Sequence, residues 1–397
     1  MIAVIADDFT GAAEIGGIGL RRGLKVAIET EVENFENIDL LIIATDTRAM
    51  DPQSAMLHID KVTEALLRRI NPEFIFKKID SVLRGNIVEE LRAQLSVCDK
   101  KRALIIAGNP HFKRVIRDGI YYVNDVPLAE TFFAADPQYP ISSSHVKEIL
   151  KNDLEEIQLV SVDKPLPDEG LLFGNVIDEK EMEAWGKVAD QETLLAGGAG
   201  FFETLIKKYY PNIVKDAEYK YRMGEKTLFV FGSTFPKSEK LIDQLSVLGM
   251  SIINMPEALY LNIDKDESAL NTWVEQVLEK LLLNQKVIVT INHQPNEKAP
   301  HGVVVKEVVG KLIKRVADRV AIDDLLIEGG DTASVILKHL GISRLYPFRE
   351  LGHGVIQMKV EDFPELCITT KPGSYFWPEE IILNGNTQFR QTHKTAN

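Results

Sequence analysis

Apolar residues in this chain fall into short unbroken runs, separated by stretches in which they recur at helical spacing. Ile2–Ala6, Leu40–Ala44, Ala103–Ala107, Thr227–Phe231 and Val287–Ile291 show almost no polar alternation. Weaker runs lie at Lys25–Ile28, Phe74–Phe76, Gln158–Val162, Ser251–Met255, Leu325–Ile327 and Leu366–Thr369. Strands covered on both faces read this way. Between them come amphipathic stretches of helical length, such as Ser54–Arg69, Val88–Leu95, Glu239–Leu248 and Leu270–Leu283. The alternation predicts an α/β protein with two doubly wound domains, mostly parallel sheets and a cleft between them.

The boundary is expected where composition turns polar. The segment Tyr209–Lys226 holds Pro211, several charges and Gly224, and it ends just before a strand-like run. We therefore expect one domain over 1–210, a linker at about 211–225 and a second domain over 226–397. Residues 384–397 are polar and aperiodic, and read as a frayed tail.

Composition narrows the picture. With 45% hydrophobic and 26% charged residues, the chain has the balance of a soluble globular protein. No apolar run approaches the roughly 20 residues needed to cross a bilayer. The start, Met1–Ala6, lacks the basic region of a secretory signal. Cys98 and Cys367 are too few for a disulfide framework or a zinc cluster, and they suit a reducing cytoplasm. A formal net charge of −13 disfavours nucleic acid and anionic membranes as partners. An anionic small molecule would have to be held by a few local cations.

Ligands in open parallel sheets bind beyond the carboxyl ends of the strands, so the residues after each run are the candidates. After the first come Asp7-Asp8-Phe9-Thr10-Gly11, where small residues can expose helix N–H groups to an anion. The two carboxylates there can orient a hydroxyl or take its proton, and Asp8 or Thr10 can equally serve as a helix cap. After the third comes Arg48, which can grip a carboxylate bidentately or pair with Asp46 or Asp51. The densest polar cluster is Lys77-Lys78-Ile79-Asp80-Ser81-Val82-Leu83-Arg84-Gly85-Asn86. Its cations, Lys78 and Arg84, suit a carboxylate, while Asp80 and Ser81 suit hydroxyls. Arg114 is a further candidate cation, and Gly119–Leu128 reads as a hairpin with a tight Asn124-Asp125 turn.

Turns in the second half have a different character. Gly232-Ser233-Thr234, Gly329-Gly330-Asp331-Thr332, Gly352-His353-Gly354 and Lys371-Pro372-Gly373 are rich in glycine. Four such turns point to a nucleotide held by backbone amides. Ser233, Gly329, Gly330, Thr332, Gly354 and Gly373 would line it, Lys371 would neutralise phosphate, and Asp331 would reach Mg²⁺ through water. Walker, protein-kinase, zinc-protease and nucleophile-elbow motifs are all absent. His58, His145, His293, His301 and His353 are scattered and read as structural or surface residues.

Three blocks resemble the four-carbon acid sugar kinase family: Ile5-Ala6-Asp7-Asp8-Phe9-Thr10-Gly11-Ala12, Lys78–Asn86 and Tyr122–Thr131. The resemblance continues in order through Ala196–Gly200, Gly232-Ser233, Gly329–Thr332 and Lys371–Gly373. It implies an N-terminal sugar-acid domain and a C-terminal ATP domain. It also implies phosphorylation of the terminal hydroxyl of threonate, erythronate or a 3-oxo-tetronate. Carried over, Asp8, Arg48, Lys78, Asp80, Ser81 and Arg84 would hold substrate. Ser233, Gly329–Thr332 and Gly373 would hold ATP, with Mg²⁺ as the metal. Either Asp80 or Asp8 would accept the hydroxyl proton, with Asp80 favoured because Lys78 and Arg84 flank it. Two departures fall on the nucleotide side: the Ser374-Tyr375-Phe376-Trp377 end, and a 352–354 loop without a proline-rich pattern. A sugar-acid sensor with a nucleotide-incompetent second half is therefore an alternative. An NAD-dependent dehydrogenase is another, disfavoured by the lack of Gly-x-Gly-x-x-Gly. A homodimer is an open expectation.

Overall fold

The computed structural model describes every residue except 34–36, 137–138, 151–156, 191, 214–220, 233–235, 262–266, 285, 292–301 and 382–397. Ser233, His293, His301 and the 384–397 tail thus lie outside the described residues. The chain divides into two compact units, Met1–Lys215 and Asp216–Asn397.

In the first unit, β1 (Ile2–Ala6) leads into α1 (Phe9–Arg21). Next come β2 (Val26–Glu29), β3 (Leu40–Ala44), α2 (Pro52–Arg69) and β4 (Ile75–Lys78). Helix α3 (Ile87–Val97) connects to β5 (Arg102–Ile106). A small antiparallel sheet follows, made of β6 (Arg114–Arg117), β7 (Ile120–Val123) and β8 (Val126–Pro127). Its β7–β8 turn is the expected one: Asn124 and Asp125 both take positive φ, 52° and 64°, as a tight hairpin requires. The unit closes with α4 (Val146–Ile149), β9 (Ile157–Val160), β10 (Gly170–Gly174), α5 (Glu179–Val188), β11 (Thr193–Gly197) and α6 (Ala199–Tyr209).

Its main sheet runs β2-β3-β1-β4-β11-β5-β10-β9, and every pairing is parallel. Strands β1 and β3 are buried along their whole length, which accounts for their unbroken apolar sequences. The fourth strand extends past the expected Phe76 to include Lys77 and Lys78, both buried. Neighbouring strand residues point to opposite faces. Phe76 meets Phe201 and Phe202 of α6 at 6.1 and 5.2 Å, so Lys78, two residues on, shares that face with α1. Lys77 turns the other way, to Glu90 on α3.

The second unit contains β12 (Thr227–Phe231), α7 (Pro236–Val247), β13 (Ser251–Asn254), α8 (Glu257–Leu261) and α9 (Glu267–Asn284). These are followed by β14 (Lys286–Thr290), α10 (Gly302–Ala317), β15 (Asp324–Glu328) and α11 (Gly330–Leu340). Strands β16 (Arg344–Gly352), β17 (Val355–Val360) and β18 (Cys367–Lys371) complete it. The order is β13-β14-β12-β15-β18-β17-β16, parallel through β18 and antiparallel beyond. Among the described residues, no helix is long and apolar enough to cross a membrane.

Candidate functional site

Five strands of the first unit, β3, β1, β4, β11 and β5, lie side by side, so their following turns share one carboxyl edge. Asp8 caps α1: its Oδ1 accepts from the Gly11 amide at 2.9 Å, and its Oδ2 from the Thr10 hydroxyl at 2.7 Å. A Cβ on Gly11 would stand 2.6 Å from Asp8 Oδ1 and 3.2 Å from Lys78 Nζ. Only glycine lets the helix start come this close to both charges.

The 3-10 turn Thr47–Ala49 after β3 places Arg48 over the same point. Its Nε meets Asp7 Oδ2 at 2.7 Å, and its Nη2 meets Asp8 Oδ1 at 3.0 Å and Asp80 Oδ1 at 3.5 Å. Arg84 clamps Asp80 bidentately from the other side, Nε to Oδ2 at 2.8 Å and Nη2 to Oδ1 at 2.9 Å. Arg84 also reaches Asp136 at 2.9 Å. Arg114 donates to Ser81 Oγ and lies over the Phe133 ring, 5.9 Å from its centroid. Tyr121 donates to the Ser81 carbonyl, and the Tyr139 hydroxyl to the Arg48 carbonyl at 3.2 Å.

Lys78 is 3% exposed. Its ammonium donates to the Ile79 carbonyl at 2.9 Å, and the nearest carboxylate that it pairs with is Glu14, at 3.9 Å. An ammonium has three donors, so Lys78 keeps donor capacity in a buried place. Arg48 Nη1 likewise makes no hydrogen bond among the described residues, although the rest of that guanidinium is committed.

Electrostatics follow this geometry. Burial works to raise the Asp80 carboxyl, but Arg84 and Arg48 override it and hold the group well below the ordinary carboxylate range. At Asp8 burial is again opposed, by Arg48 and Lys78, and the group lies lower than usual. Burial alone would lower Arg48; Asp7, Asp8 and Asp80 push it well above its ordinary value. All these groups stay ionised at neutral pH.

The structure thus brings Asp8, Arg48, Lys78, Asp80, Ser81 and Arg84 together. It also adds supporting residues, of which Asp7 and Asn86 stand in the polar clusters read from the sequence. Asp7 and Asp136 anchor the two guanidiniums, and Asn86 ties down the Arg48 turn by donating to the carbonyls of Thr47 and Met50 at 3.0 and 2.9 Å. Asp136 stands in a stretch without periodic pattern and gave no signal.

In the second unit, the ends of β12, β15 and β18 lie on one edge, where Phe231, Glu328 and Lys371 are in register. The β16–β17 hairpin joins them, because Ile356 pairs with Thr370. Gly329, with φ 100°, leads into α11, whose first N–H groups at Gly330, Asp331 and Thr332 open on that edge. Gly232 packs against Thr332, where a Cβ would fall 2.0 Å from Thr332 Oγ1.

Two residues expected at the nucleotide are engaged by protein groups. Lys371 is 1% exposed, and its ammonium is taken up by protein groups. Its ammonium donates to the carbonyls of Pro372 and Tyr375, both at 2.8 Å, pairs with Glu328 at 3.0 Å, and lies over the Trp377 ring. With its three donors committed, it clamps the 372–377 turn. Gly354 is likewise turned inward: its amide donates to Glu350 at 3.2 Å, and a Cβ would meet the Tyr375 ring at 2.6 Å. Asp331 pairs with Lys306 of α10. Among the described residues no group of three or more His, Cys, Asp or Glu is placed to hold a metal. Mg²⁺ that arrives on nucleotide phosphates needs only one or two carboxylates; Asp331 would have to part from Lys306 to serve as one.

A family model described as a sugar-binding N-terminal domain matches residues 2–205, and one described as a nucleotide-binding C-terminal domain matches residues 228–375. The chain belongs to the four-carbon acid sugar kinase family. This makes it a carbohydrate kinase by family. A D-threonate kinase of Salmonella typhimurium is 25% identical to this four-carbon acid sugar kinase, over 94% of each chain. A D-erythronate kinase of Heliobacterium modesticaldum is 34% identical over 38% of this chain and 35% of its own. A 3-oxo-tetronate kinase of Haemophilus influenzae is 21% identical over 94% of this chain and 97% of its own. The crystal structure of Haemophilus influenzae protein HI1011 shares the kinase's fold, with a TM-score of 0.70 at 18% identity, covering 98% of this chain and 100% of that one.

Proposed function

We propose that the protein phosphorylates the terminal hydroxyl of a four-carbon sugar acid of the threonate, erythronate or 3-oxo-tetronate type, using ATP. The observation that carries this reading is the buried charge cluster of the first unit. Lys78 and Arg48 keep donors to spare beside Asp8, and one carboxylate with several hydroxyls is the ligand that such a mixture suits. The strongly acidic surface makes these local cations the means of holding an anion. The names of the relatives point to the same substrate class.

Within this reading, Arg48 and Lys78 hold the acid's carboxylate, and Ser81 and Asp8 hold hydroxyls. We assign proton acceptance to Asp8 rather than Asp80. Bidentate Arg84 and the amides of Val82 and Arg84 saturate Asp80, which makes it the weaker base and the anchor of the two guanidiniums. Positioning and charge neutralisation supply most of the catalysis in phosphoryl transfer, so a weakly basic carboxylate suffices. In the second unit, the amides at the start of α11 and the Gly232 and Gly373 turns would hold the ATP phosphates. Asp331 would hold Mg²⁺, which when bound offsets the charge on the transferred group.

The test is a panel of D- and L-threonate, D- and L-erythronate and 3-oxo-tetronates in a coupled ADP assay with Mg²⁺. ADP formation that depends on one of these acids is the expected result. If every acid leaves the rate at background while calorimetry shows the acid binding, the sensor reading replaces the kinase reading. If no acid binds at all, both fall.

A further inference from the structure

The loop after β5 returns the chain to the site. The Asn109 amide donates to the Arg114 carbonyl at 2.7 Å, and the Arg114 amide to the Asn109 carbonyl at 3.0 Å, so the first residue of β6 is pinned beside the end of β5. The Arg114 side chain then lies over Phe133, which is 4% exposed, and donates through Nη1 to Ser81 Oγ. Tyr121, fully buried, fixes Ser81 from its backbone side by donating to the carbonyl.

Arg114 differs from the other two guanidiniums here. Arg48 meets the carboxylates of Asp7, Asp8 and Asp80, and Arg84 meets those of Asp80 and Asp136. Arg114 is half-buried and meets no carboxylate among the described residues, where its Nε and Nη2 also make no hydrogen bond. A guanidinium carries five N–H donors in a fixed plane. Most of that capacity is unused at the edge of the charge cluster.

Ser81 narrows what the unused donors can take. Its Oγ accepts from Arg114 and makes no other hydrogen bond among the described residues, so its own proton is left to donate. Arg114 can only donate. The two groups together offer donors alone, whereas Asp8, also assigned to a hydroxyl, offers acceptors. A ligand oxygen seated against Ser81 and Arg114 has to accept from both. A secondary hydroxyl does so, as does a keto oxygen in its place, but a methylene strands both donors.

We infer that Arg114 is a specificity-determining residue of the acid site: with Ser81 it reads one oxygen in the middle of the acid chain, at C2 or C3, and rejects chains that lack it. The inference rests on the reading of the first unit as an acid-binding site and adds a contact to it. A hydrogen bond from a charged donor is stronger than one between neutral groups. A site built to pair with a substrate hydroxyl rejects the deoxy analogue because its own polar groups are left unpaired.

The test uses the acid that the wild type phosphorylates and its two deoxy counterparts, with a methylene at C2 or at C3 and the terminal hydroxyl kept. The wild type is expected to disfavour at least one of them by about tenfold or more in kcat/KM. Arg114→Met keeps the stem but removes the donors. It is expected to cut that discrimination to about threefold or less, by losing efficiency on the parent acid and not on the disfavoured analogue. A guanidinium that merely braced Ser81 and Phe133 would lower all three acids alike. An equal loss on all three, an unchanged preference, or a wild type that does not discriminate each overturns the inference. Should Arg114→Met not accumulate as folded protein, Arg114→Lys keeps the charge without the fork and must narrow the preference in the same direction; an unchanged preference there also overturns it. Calorimetry of the wild type with threonate, erythronate and 3-oxo-tetronate keeps the underlying reading apart: silence with all three sinks that reading and the inference together. Binding by the wild type, with the same ratio of affinities for parent and deoxy acids in Arg114→Met, sinks the inference alone.

Discussion

Replacing Gly85 with alanine puts two costs on one atom. Gly85 has φ +92°, well outside the conformations that a residue with a side chain takes readily. Forcing an L-residue there costs about 1–3 kcal/mol. The added Cβ would also stand 3.0 Å from Arg48 Cγ and 3.4 Å from Arg48 Cα. Arg48 has little room to retreat, because Asp7 and Asp8 hold it at 2.7 and 3.0 Å. We therefore expect Gly85→Ala to lose about 2 kcal/mol of stability, read as a lower urea midpoint with unchanged slope. A shift of the guanidinium by a few tenths of an ångström should raise KM for the acid by about tenfold, which corresponds to ~1.4 kcal/mol. KM for ATP should not change. A Gly85→Ala protein within about 0.5 kcal/mol of wild type and with an unaltered KM for the acid would refute the argument that this glycine exists to seat Arg48.

Three further outcomes are expected. Asp8→Asn should lower kcat by about 100-fold or more with acid binding retained, whereas Asp80→Asn should act mainly on KM by freeing Arg48 and Arg84; the opposite split in steady-state kinetics would return the proton to Asp80. Lys371→Met leaves Glu328 buried without its cation and should cost about 3–5 kcal/mol, seen as a lower melting temperature, with Lys371→Met/Glu328→Leu recovering most of it. Asp8 and Asp80 are both held below the ordinary carboxylate value of 3.8, so their contribution to stability is present above that pH and is lost as pH falls through their lower folded values; acid titration of unfolding free energy should fall below about pH 3.8, and less steeply in Asp80→Asn than in wild type.

Much of this was legible in the sequence because the relevant signals are local. The apolar runs at β1, β3, β12 and β14 are buried on both faces, so they carry no polar interruptions and read plainly. The Asp8, Arg48 and Lys78–Arg84 candidates follow strands, and strand ends are where the edge of a parallel sheet collects its ligands. What escaped was set by tertiary contact. Strands β10 and β11 were not among the expected strands: β10 begins and ends in glycine and β11 ends in one, which weakens the strand signal. The β16–β17 hairpin is antiparallel, and its mixed polar sequence hid it. Lys371 was ambiguous in the sequence, because a cation after a strand looks the same whether it faces a phosphate or a buried glutamate. Only Trp377, donating to Glu328 at 3.0 Å and packed on Phe229 and Phe231, reveals which.

The order of strands in the first unit has a consequence for synthesis. Strand β11 lies between β4 and β5 yet is made after both, at Thr193–Gly197. Until it leaves the ribosome, the middle of that sheet has an open slot, and β4 and β5 each show an unpaired row of amides and carbonyls to whatever is nearby. Such exposed rows template association with other chains. A nascent or truncated chain that stops before Thr193 should therefore need a chaperone to remain monomeric, whereas one that reaches the end of α6 can close the gap itself.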